Sequence, residues 1–86
     1  MQFDGAVIKE QGQVFGIVIV KSHVIQSPTE STQMRNFGIR AFGNMPIVLA
    51  CQNSQGRFTY NGRKDIVKFL ASISPSRIPW KKYTIN

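Results

Sequence analysis

Two segments of the chain, Val14-Phe15-Gly16-Ile17-Val18-Ile19-Val20 and Ile47-Val48-Leu49-Ala50-Cys51, are apolar without alternation. A strand with one wet face alternates apolar and polar residues, whereas an unbroken run is what burial on both faces requires. Both segments are therefore placed in the middle of a sheet. A chain of 86 residues holds one domain and one thin core, and only two further segments read as helices. Either these helices cover opposite sheet faces, or both cover one face. In the second case the C-terminal segment or a second copy of the chain covers the other.

The remaining elements follow from local signals. Phe3 to Lys9, the turn Glu10-Gln11-Gly12-Gln13 and Val14 to Lys21 read as a hairpin whose second strand runs on toward Ile25. Ser27-Pro28-Thr29-Glu30 starts a helix, with Ser27 as N-cap, Pro28 at the first position and Glu30 placed to close a capping box. Met34, Phe37, Gly38 and Ala41 give that helix its core stripe, and Gly43-Asn44 stops it. Pro46 leads into the third strand, and Arg57-Phe58-Thr59-Tyr60 alternates as the fourth. Asn61 or Gly62 caps a second helix with Ile66, Phe69, Leu70 and Ile73 inward, Lys64 and Lys68 outward, and Asp65 in its first turn. The expected fold is α+β: a mixed four- to five-stranded sheet with two helices in the order ββαββα. Residues 1–74 form the domain and 75–86 a basic and aromatic arm that packs on it as an edge strand or an extended tail.

Charge is distributed unevenly. Residues 1–34 hold two Lys/Arg against three acids, and residues 35–86 hold nine against one. Clustered cations raise the local potential and steer anions inward, which points to nucleic acid or an acidic protein as partner. The candidate polyanion contacts are Arg57, Arg63, Lys64, Lys68, Lys81 and Lys82. Phe58, Tyr60 and Tyr83 are the candidate rings for stacking on unpaired bases. The competing reading is that the lysines face water and that Trp80 and Tyr83 anchor the tail to the core.

Catalysis has little to work with. One cysteine and one histidine cannot form a disulfide or a structural zinc site. Cys51 closes an apolar strand and reads as buried filler, and His23 lacks a recognisable nucleophile. Glu30 and Asp65 are explained by helix starts, and no glycine loop has phosphate-cradling spacing. A non-enzymatic domain without cofactor or metal is expected. The N-terminus has no signal-like pattern, and the longest apolar run is far shorter than the roughly 20 residues of a membrane helix, so no membrane partner is expected and a cytoplasmic location is.

Met45-Pro46-Ile47-Val48-Leu49-Ala50, the turn at Gly56 and Tyr60 to Leu70 resemble the closing strand-hairpin-helix unit of thioredoxin-like proteins over residues 45–74. The resemblance implies a cis bond before Pro46. It does not extend to redox chemistry, because Ser22-His23-Val24-Ile25-Gln26 stands where that family carries Cys-x-x-Cys. It implies a divergent scaffold for protein interaction or homodimerisation, the alternative to a polyanion-binding domain. A second topology, βαββαβ from Val14 onward, is the order of RNA-recognition domains, with Phe58 and Tyr60 where base-stacking rings lie. Gly56-Arg57-Phe58-Thr59-Tyr60 nevertheless matches the corresponding consensus poorly.

Overall fold

The computed structural model describes residues 2–10 and 12–85. Met1, Gln11 and Asn86, which the expected domain, turn and arm included, lie outside the described residues. The elements run β1 (Gln2–Glu10), β2 (Gln13–Ile19), α1 (Ser22–Gln26), α2 (Pro28–Phe42), β3 (Ile47–Gln52), β4 (Phe58–Asn61), α3 (Lys64–Ala71), a 3-10 turn (Pro75–Arg77) and β5 (Lys81–Thr84). The five strands form one sheet in the order β4-β3-β2-β1-β5. β2 and β3 are parallel, and the other neighbours are antiparallel. The fold is thus α+β with a mixed sheet, and the unbroken apolar runs occupy its central region as their composition required.

The helices lie on opposite faces. Phe3, Val18, Ile47 and Leu49 pack with Met34, Ala41 and Phe42 of α2 on one side. On the other, Ala6, Phe15, Ile17, Val48 and Ala50 pack with Ile66 and Leu70 of α3. Successive residues of β2 and β3 therefore enter different cores, which is why neither strand could afford polar alternation. Among the described residues the central strands are covered on both faces, whereas the RNA-recognition order needs one face open for bases.

Four local expectations are corrected. β2 ends at Ile19 rather than near Ile25, and Ser22–Gln26 turns as a short helix. That helix is tied to α2 by the buried Ser31 hydroxyl, which donates to the Val24 carbonyl at 2.7 Å. Ser27 caps α2 by accepting from the Glu30 N–H at 3.3 Å, but the Glu30 carboxylate meets His23 Nδ1 at 3.2 Å instead of completing a capping box. Phe37 is half-buried and outside both cores, with the Arg40 guanidinium 5.7 Å above its ring. Phe42 takes the inward place, edge-on to Phe3 at 5.7 Å and to Tyr83 at 4.7 Å. Finally, Arg63 rather than Asn61 or Gly62 stands at the N-cap position of α3, with no side-chain capping hydrogen bond.

Gly43, at φ 104°, ends α2 in a conformation few other residues adopt. The Met45–Pro46 bond is trans, where the resemblance implied cis. The C-terminal segment is woven into the core. Ile78 is buried, the Trp80 indole donates to the Pro75 carbonyl at 3.1 Å, and β5 pairs with β1 from Gln2↔Thr84 to Gly5↔Lys81. Residues 75–85 thus pack on the preceding residues, and of the two forms expected for this segment the edge strand is the one observed.

Candidate functional site

The cations singled out in the sequence fall into three groups. Lys64 and Lys68 stand one turn apart on α3, opposite Ile66 and Leu70, and both are exposed. Arg57 is exposed where the β3–β4 turn enters β4, on the same side of the sheet as α3. All three lie on the α3 side of the sheet, the lysines on the helix and Arg57 beside its C-terminal end. Arg63 is not available in the same way: its guanidinium donates two hydrogen bonds to the Asp65 carboxylate, each 2.7 Å, and a third to Gln13 Oε1. That bidentate contact holds the Asp65 carboxyl down at about 2 from its usual 3.8, so the pair stays mutually neutralised at any ordinary pH.

Lys81 and Lys82 lie on β5, at the opposite sheet edge from β4. Adjacent strand residues point to opposite faces. Lys82 also sits directly across from Asp4 of β1, an opposite-charge cross-strand neighbour. The tail lysines therefore do not join Arg57, Lys64 and Lys68 in one cluster. Arg77, outside the candidate contacts, does lie on the α3 side, in the turn after that helix. No local signal marks it, because its position depends on how the chain crosses from α3 to β5.

The three candidate stacking rings are already engaged. Phe58 is stacked between Tyr60, at 6.0 Å and 10° between planes, and Trp80, at 5.4 Å and 15°. All three are half-buried against the α3-side core. Tyr83 stacks on Phe3 at 5.5 Å on the other face. Phe58 has two stacking partners, and Tyr60 and Tyr83 each have one, so each ring is already engaged with another ring of the protein.

The Tyr60 hydroxyl is buried and has no hydrogen-bond partner among the described residues, and burial pushes its phenol pKa up. A desolvated hydroxyl without a partner costs about 1 to 3 kcal/mol. Tyr60→Phe removes that cost and keeps the ring, so urea denaturation should show stability unchanged or raised by about 1 kcal/mol. A loss of more than about 1 kcal/mol would mean that the hydroxyl has a partner in solution.

The chain matches no family model, no curated protein and no solved structure. The site must be read from its own geometry. Two of the grooves that flank α3 are lined by an arginine. One, of about 360 Å³, lies against β4 and is lined by Arg57, Phe58, Tyr60, Leu70, Ala71 and Ile73 with Gly56 and Pro75. The other, of about 450 Å³, lies against β1 between Ile8, Phe69 and Ile73, with Lys9, Glu10 and Arg77 among its lining residues. α3 thus forms a ridge with lysines on its crest and an arginine lining the groove on each side.

Groups with catalytic potential lie elsewhere. His23 and Glu30 form an exposed pair, and no hydroxyl or thiol hydrogen-bonds the imidazole among the described residues. Cys51 is a free, half-buried thiol. Among the described residues no three His, Cys, Asp or Glu side chains are placed to share a metal ion, and no helix is long and apolar enough to cross a membrane.

Proposed function

We propose that this is a non-catalytic binding domain that docks a polyanion on the ridge of α3, through Arg57, Lys64, Lys68 and Arg77. The observation that carries the reading is the lack of ion pairing at these cations. None of these four cations has an ion-pair partner among the described residues, while Asp65, the acid nearest to them in α3, is already occupied by Arg63. Cations outside any ion pair raise the local positive potential, although Glu10 lines the same groove as Arg77, and regularly spaced anionic groups satisfy it best. The engaged aromatic rings favour contact with backbone phosphates or carboxylates over reading of bases. Arg63, Lys81 and Lys82 fall outside the proposed contact set.

Fluorescence anisotropy with a labelled short single-stranded RNA tests this. Four phosphate contacts correspond to an affinity loss of about fiftyfold between roughly 50 and 200 mM salt. Binding that is indifferent to salt, or no binding at the lower salt to RNA, DNA or polyglutamate, would remove the proposal.

A further inference from the structure

We infer that the outer edge of β4 receives an extended acidic peptide as a sixth strand, whose side chains on the α3 side lie in the groove between β4 and that helix. This rests on the reading of the α3 ridge as an anion-binding surface and names the partner. The backbone register supplies the docking groups. The Ala50 carbonyl accepts from the Val20 N–H, so Ala50 spends its backbone on β2, and Tyr60, paired opposite Ala50, turns its own N–H and C=O away from β3. Phe58, two residues earlier, does the same. No other element bonds these four groups among the described residues.

The two sheet edges differ in protection. β5 carries Lys81 and Lys82, the kind of residue that keeps an edge from pairing. β4 is Phe-Thr-Tyr-Asn, without charge, proline or bulge. Beside it the groove offers an apolar centre with Arg57 at the end where β4 begins, and Lys64 opens α3 three residues beyond the other end of the strand. A strand added there places residues i, i+2 and i+4 over the groove, so an acid and an apolar residue match Arg57 and the apolar lining, and a second acid lies toward Lys64 at the start of α3. A second copy of this chain brings the same cations to the same edge and is disfavoured by like charge.

The probe is a blocked peptide reading Glu-Thr-Val-Thr-Glu, with a counterpart carrying Lys for Glu and the short RNA as a third arm. Amide hydrogen exchange should slow at least tenfold at Phe58 and Tyr60 with the acidic peptide and not with the lysine peptide. Ala71→Leu, which fills the groove from an exposed helix position, should weaken the acidic peptide at least tenfold and leave RNA binding unchanged. Unaltered exchange at both amides, or equal protection by the lysine peptide, overturns the inference. RNA binding without that protection leaves the ridge proposal standing and defeats only the strand addition; silence in all arms defeats both.

Discussion

Gly5→Ala should destabilise the protein by about 3 kcal/mol or more, the upper end for overfilling a packed site. Gly5 lies in β1 opposite Val18, and a Cβ built on it would meet the Ile17 carbonyl oxygen at less than contact distance, with the rings of Phe3 and Phe42 close behind. The first obstacle is backbone in the middle of the sheet and cannot rotate away. Gly12→Ala supplies the comparison. Gly12 also has a demanding backbone, φ 79°, but open space around it, so its cost should stay near 1 to 2 kcal/mol. Chemical denaturation of the two variants separates steric exclusion from backbone strain. A smaller loss for Gly5→Ala than for Gly12→Ala would mean that β1 and β2 are not registered as described.

Ile17→Ala should cost about 2 to 5 kcal/mol. Ile17 is fully buried in β2, beneath α3, in the cluster that also holds Val48, Ile66 and Leu70. Shrinking it leaves a cavity that its neighbours, held by the sheet on one side and the helix on the other, close only in part. A domain of this length has about 4 to 13 kcal/mol in total, so this variant should unfold at markedly lower denaturant or not fold at all. Val14, in the same strand but 39% exposed, should tolerate alanine within about 0.5 kcal/mol. Similar losses at the two positions would contradict the two-faced burial of the sheet.

The fold was legible wherever local pattern and tertiary demand coincide. The unbroken runs of β2 and β3 announced strands covered on both faces, and Ser27-Pro28 announced the start of α2. Phe42 was not legible as the inward ring, because what admits it is the space above Gly5 and Gly16, two glycines of different strands that become neighbours through the sheet. The same limit explains Ser22–Gln26, whose helical turn depends on the Ser31 hydroxyl seven residues beyond Val24.

For the candidate site, Lys64 and Lys68 followed from helical spacing within one element. Arg77 joins them, and Lys81 and Lys82 leave them, because the chain crosses the α3 face before adding β5 at the far edge. Arg63 stands apart for a different reason. The sequence Arg63-Lys64-Asp65 shows an acid nearby but not that the arginine grips it with two hydrogen bonds.

The most direct measurement compares the RNA affinity of Lys64→Gln/Lys68→Gln with that of Lys81→Gln/Lys82→Gln at moderate salt, where exposed charges more than about 8 Å apart are largely screened. The α3 pair should weaken binding about tenfold and reduce the salt slope by roughly 1.4, the amount for two lost phosphate contacts on a single strand, while the β5 pair leaves both nearly unchanged. Equal losses from the two pairs, or a larger loss from the β5 pair, would contradict docking on the α3 ridge.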